Sequence, residues 1–298
     1  MAHSVVAVAV ALICEMGLSP VRAQETAPPA AATAPMVLEN TGKPMVVPFQ
    51  CTDDDIRSGG LSCSEEEPCA VFLELTAAGA AGTRVFAIGN LHTEAVTLYS
   101  VLLASEDGGH TWTEGFERIR AAGLDRMQFH AERGWISGEE LSPLPQNPFL
   151  LATNDGGKTW SRRPILNEAD ENRFGTVQQF AFGANDVGSL IVDRGQGNAD
   201  RYVLYESPDG GDTWQIRQES RKPLTLKTAP GAPAADWRIH VDAASKAYRI
   251  ERRQGEKWSL VAAFLVRVPP CKPPRPVENG EEKAEPVKPP IKKQPAFR

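Results

Sequence analysis

The sequence predicts an all-β protein: a β-propeller of four or five blades, each of four antiparallel strands, flanked by unstructured extensions. Three observations predict it. A short box of turn residues occurs three times at near-regular spacing, and apolar runs of strand length recur around each box in a fixed order. Gly and Pro, at 25 and 24 residues, supply the turns that many short elements need. The box aspartates, Asp107, Asp155 and Asp209, stand 48 and 54 residues apart. A period near fifty residues belongs to propellers and solenoids.

The first box carries Ser105, Asp107, Gly109, Thr111 and Trp112. The second repeats them as Thr153, Asp155, Gly157, Thr159 and Trp160, and the third as Ser207, Asp209, Gly211, Thr213 and Trp214. Glycines tolerate the positive φ of a tight turn, and the aspartate accepts bonds from nearby backbone N–H groups. The hydroxyls close the same turn, and the Trp buries a large ring against a neighbouring hairpin. Each residue therefore has a structural task. A worn fourth copy at 252–258 keeps Gly255 and Trp258 but has lost the Asp and Thr.

The strands follow in chain order. The first unit has runs at 70–75, 84–88 and 98–103, then a strand entered through Thr111-Trp112. The second has 126–129, 134–137, 149–152 and 159–161, and the third 177–182, 188–192, 201–205 and 213–216. Their alternation is that of half-buried strands. Runs at 224–227, 237–241, 247–250 and 258–264 supply a fourth set. Four strands with the box between the third and fourth is a propeller-blade layout.

These boxes resemble the Asp-box, or bacterial neuraminidase repeat. Met127-Gln-Phe129, Gly134-Trp135-Ile136 and the box from Thr153 to Trp160 together are similar to photosystem II stability/assembly factor propellers. Sortilin-like proteins and sialidases share the box. The resemblance covers roughly residues 70–264 and implies a turn more firmly than a function. Seven-bladed assembly factors are longer, so ring closure is left open.

The ends of the chain point to export. An apolar run from Val5 to Cys14, the pair Ser19-Pro20 and the small-x-small sequence Val21-Arg22-Ala23 form a signal-peptide pattern over 1–23, although the opening Met-Ala-His-Ser has no Lys or Arg. Ile13 before Cys14 argues against a lipoprotein anchor. Residues 24–48 are Ala/Pro-rich and are expected to be a flexible linker, 49–271 the propeller, and 272–298 a disordered Pro/Lys-rich tail. The mature chain has no apolar stretch of membrane-spanning length, so a periplasmic or extracellular location is expected. With Cys14 removed, Cys51, Cys63, Cys69 and Cys271 remain, an even number that suggests two disulfides among three pairings. Cys63–Cys69 with Cys51–Cys271 is the preferred set. Their spacing is not that of zinc knuckles, and no metal or other cofactor is expected.

Composition narrows the function. A net charge of −6 is poor for nucleic-acid binding. A sialidase needs an arginine triad and a Tyr–Glu pair, yet Tyr99, Tyr202, Tyr205 and Tyr248 all fall inside apparent strands, and Arg163-Pro164-Ile165 is only superficially like a sialidase entry segment. P-loop, H-E-x-x-H and G-x-S-x-G motifs are absent from the sequence. The expected function is a non-enzymatic scaffold for a protein or glycan partner in the cell envelope, with a secreted sialidase-like glycoside hydrolase as the alternative. Loops between second and third strands, at the opposite end from the boxes, carry the candidate binding residues. These are Asn90, His92 and Glu94, then Glu139 and Glu140, then Asp193, Arg194 and Asn198.

Overall fold

A computed structural model describes residues 37–141, 144–166, 174–183, 185–226 and 236–273. The expected export signal, the first part of the linker and the tail from residue 274 lie outside the described residues. The fold is an all-β propeller. The chain opens with β1 (Leu38–Glu39) and a short helix α1 (Asp53–Ser58), then enters blade 1 through β2 (Cys69–Ala81), β3 (Arg84–His92), β4 (Thr97–Ser105) and β5 (Thr111–Glu114). Blade 2 contains β6 (Ala122–His130), β7 (Arg133–Leu141), β8 (Pro145–Thr153) and β9 (Ser161–Pro164). Blade 3 contains β10 (Thr176–Phe182), β11 (Gly188–Asp193), β12 (Tyr202–Ser207) and β13 (Gln215–Ser220). The last sheet has β14 (Trp237–Asp242), β15 (Ala247–Gln254) and β16 (Lys257–Leu265), and β17 (Arg267–Cys271) crosses back to pair with β2.

Each box makes the turn its chemistry requires. In the second, Asp155 Oδ1 accepts the Lys158 and Thr159 N–H groups at 2.9 and 3.0 Å, while Oδ2 accepts the Thr159 hydroxyl at 2.6 Å. Thr153 Oγ1 donates to Asp155 and accepts the Gly157 N–H. These donors, the Thr159 hydroxyl foremost, hold the Asp155 carboxyl far below the ordinary carboxylate range. Asp107 and Asp209 are lowered by equivalent bonds.

The boxes also set the order of the blades. Gly157 has φ +79°, and a Cβ there would lie 2.3 Å from the Phe86 ring of blade 1. Trp135 of blade 2 donates its indole N–H to Gly210 of the third box at 2.9 Å. The first box packs on the last sheet, where a Cβ on Gly109 would meet Val261 at 2.5 Å. Fully buried Trp112 meets Phe264 edge-on at 5.3 Å. The spatial order is therefore last sheet, blade 1, blade 2, blade 3. Three apolar clusters fill the successive junctions, and among the described residues none joins blade 3 to the last sheet.

Two expectations need correction. Residues 37–48, expected in the linker, are packed: β1 pairs with β5, Met45 bridges Phe264 in parallel, and Val47 is fully buried. Alanine and proline content hid a strap whose few large apolar residues fill the seam between blade 1 and the last sheet. Among the described residues the last sheet has three strands, because 224–226 form none and the Leu226 N–H bonds the Gln179 side chain instead of a ladder. The worn fourth box is a plain two-residue hairpin closed by the pair Gln254–Lys257, as expected once the Asp that organises the longer turn is lost.

The cysteines pair as Cys51–Cys271 and Cys63–Cys69. Beside Cys51, Thr52 caps α1 in a capping box with Asp55. Asp55 is buried and accepts Tyr99 Oη at 2.5 Å and Arg120 at 2.9 Å. Burial and this bond push the Tyr99 phenol up to about 12. Among the described residues no helix is long and apolar enough to cross a membrane.

Candidate functional site

Antiparallel order places the boxes at one pole and the connections β3–β4, β7–β8 and β11–β12 at the other. The innermost strand of each of the first three blades carries a β-bulge at the same level, inserting Thr76 in β2, Asp125 in β6 and Gln178 in β10. A bulge turns the inserted residue out of the regular alternation and re-aims its neighbours. The register beside the bulges makes Asn90, Glu139 and Asp193 equivalent: they face Glu74, Gly123 and Thr176 across the first pair of strands.

These three positions share a role that only the fold reveals. Asn90 Oδ1 accepts the Leu124 N–H of the next blade at 2.9 Å. Glu139 occupies the same station in blade 2, taking bonds from the Thr176 hydroxyl and the Val177 N–H of blade 3. Each side chain therefore ties its blade to the innermost strand of the next. Asp193 is last in the series and is held within its own blade, by both ends of the Arg201 guanidinium at 2.6 Å and by the Gly195 N–H. Its carboxyl is lowered, mainly by Arg201.

Glu139 differs electrostatically from the amide it parallels. Burial, reinforced by the negative charge of Asp125, raises its carboxyl to about 7 against the two hydrogen bonds that favour its ionised form. It lines a cavity of about 280 Å³ with Glu74, Thr76, Asn90, Asp125 and Thr176, where the charged groups are all acidic. Thr176 is shared with a second cavity of about 390 Å³, formed by Asp193, Arg194 and Asn198 beside the exposed side chains of Leu144 and Phe174. Arg194 donates to Tyr205 Oη at 2.9 Å and pairs with Glu219, and Asn198 donates to the Arg194 carbonyl.

The structure thus brings five of the eight candidates to two adjoining cavities. His92, Glu94 and Glu140 do not line them. His92 lies against the Phe72 ring, and Glu94 is exposed in a turn closed by Thr93. Glu140 accepts from Asn147 and Arg162, both at 2.7 Å. Glu74 and Asp125 escaped the sequence reading, which favoured loops. Their only signal was an acidic residue interrupting an apolar strand run. Among the described residues no group of His, Cys, Asp and Glu has the geometry to hold a metal ion.

No family model and no curated protein matches this chain. Among solved structures it is similar to YCF48 bound to D1 peptide, at 18% identity and TM-score 0.34, covering 64% of this chain and 57% of that one. It is also similar to YCF48 from Cyanidioschyzon merolae, at 14% identity and TM-score 0.32, covering 65% and 56%. For phage phi92 endosialidase the values are 10% and 0.37, covering 66% and 48%. The chain spans about half the length of each of these.

Proposed function

We propose that this protein is an exported Asp-box propeller that binds a partner protein through the pole opposite its boxes and catalyses no reaction. The observation that carries the reading is the acidic cavity built on the bulged inner strands, with Glu74, Asp125 and Glu139 facing one space on a rigid scaffold. Such a site suits a cationic or hydrogen-bonding segment, and the apolar Leu144 and Phe174 beside it suit an apolar side chain of the same segment. Two disulfides and the signal-like first 23 residues support export. The test is fluorescence anisotropy with Lys-rich and Glu-rich peptides of equal length. Selective binding of the Lys-rich series, weakened by Glu74→Gln with Asp125→Asn, is expected; equal binding of both series contradicts the reading.

A glycoside hydrolase is the second reading, favoured by Glu139. A carboxyl raised to about 7 beside a second acidic side chain is the pattern of an acid–nucleophile pair. The equivalence of Glu139 with Asn90 weighs against it, because an amide does the same inter-blade work one blade earlier. Turnover of an aryl glycoside that disappears in Glu139→Gln would establish the hydrolase.

A further inference from the structure

Cys69 and Cys271 belong to different disulfides, yet they are direct partners across the β2–β17 ladder. Directly opposed residues of an antiparallel pair have Cα atoms about 4.5–5.5 Å apart, within the roughly 4.4–6.8 Å that a disulfide spans. The two bonds differ in access. Cys63–Cys69 closes a loop whose residues Glu65 to Pro68 are exposed, and Cys69 itself is half-buried. Cys271 is fully buried and Cys51 nearly so.

Cys51 also ends the strap. From β1 on the edge of blade 1 the chain passes Asn40, whose side chain donates to the Gly109 and Val261 carbonyls at 2.8 Å. It then bridges β16 at Met45 and buries Val47 and Phe49 before reaching Cys51. The Cys51–Cys271 bond is thus the covalent fastening of a segment that links blade 1 to the last sheet.

We propose that the two disulfides form a thiol-triggered latch, in which opening Cys63–Cys69 transfers the bond at Cys271 from Cys51 to Cys69 and unfastens the strap. A dithiol reductant first gives two electrons and two protons to Cys63–Cys69, leaving two thiols and an oxidised reductant. Cys69, as its thiolate, attacks Cys271 Sγ; the Cys271–Cys51 bond breaks, and Cys51 leaves as a thiolate and is protonated. The second step is an exchange with no net oxidation. It replaces a bond between the strap and β17 with one between β2 and β17, across a ladder already in place.

The Cys63→Ser variant tests the exchange without any reductant, because Cys69 then starts as a thiol. Thiols are trapped by acid quench and alkylation, and the remaining bonds are mapped by mass spectrometry of non-reduced peptides. A Cys69–Cys271 peptide with alkylated Cys51 is expected. Cys51–Cys271 throughout, with Cys69 the alkylated residue, overturns the proposal. Wild-type protein titrated with a dithiol below its unfolding transition gives the same reading should the variant not fold. The Cys69–Cys271 species is again expected, and a two-thiol form carrying only alkylated Cys63 and Cys69 overturns the latch.

Discussion

Replacing Glu139 by Gln isolates the cost of burying a carboxylate where an amide suffices. The side chain lies between blades 2 and 3 and bonds Thr176 and Val177, with its carboxyl raised from 4.5 to about 7. The folded state therefore holds this proton between pH 4.5 and 7, whereas the unfolded chain does not. Wild-type stability must fall as pH rises through that window, and the full loss is present above the folded value. A rise of this size corresponds to about 3 kcal/mol at most, and solvent reaching the partly exposed side chain lowers it to about 1–2 kcal/mol. The Gln amide oxygen can still accept the Val177 N–H, as Asn90 accepts that of Leu124. Urea unfolding is the assay. Near pH 4.5 variant and wild type should unfold at nearly the same midpoint, and at pH 8.5 the variant should be the more stable by about 1–2 kcal/mol. A deficit at both pH values, or a difference independent of pH, would refute the assignment of Glu139 as a buried, proton-retaining tie.

Other perturbations address the remaining parts of the structure. Asp155→Ala removes the acceptor of four hydrogen bonds and should cost about 1–3 kcal/mol at pH 7 in thermal unfolding. Because the Asp155 carboxyl is lowered on folding, its stabilisation exists above the unfolded value of 3.8 and is lost as pH falls, so the deficit should shrink below pH 3.8. Gly156→Ala and Gly157→Ala both place a side chain at positive φ, yet only the second drives a Cβ into Phe86. The second should be the more destabilising by about 1–3 kcal/mol, and equal losses would contradict the packing of box on blade. Breaking Cys51–Cys271 by a double Ser substitution opens a span of 220 residues and should cost on the order of 4 kcal/mol, measured by urea midpoint.

The boxes were legible in the sequence because their chemistry is local. Asp155 finds its donors within four residues, and three copies at a regular interval give the repeat without any long-range information. The strand runs were legible for the same reason, through alternation. The strap was not, because Met45, Val47 and Phe49 gain their burial from β16 and blade 1, which are distant in the chain. The candidate site was half legible. Polar residues at the ends of second strands marked Asn90, Glu139 and Asp193, but their equivalence depends on three bulges, and bulges leave no trace in hydrophobic period. The same bulges admit Asp125 and Thr76 to the central space. Loop polarity drew attention to Glu140, whose partners are Asn147 and Arg162.

Amide hydrogen exchange with and without a bound Lys-rich peptide tests most directly whether the pole opposite the boxes is the binding face. Added protection is expected at Gly123 to Asp125, at Gly138 and Glu139, and at Gly195 to Asn198, the backbone around the two cavities. The box amides of His110, Lys158 and Thr213 should exchange unchanged. Protection gathered at the boxes, with the cavity amides unaffected, would contradict the account.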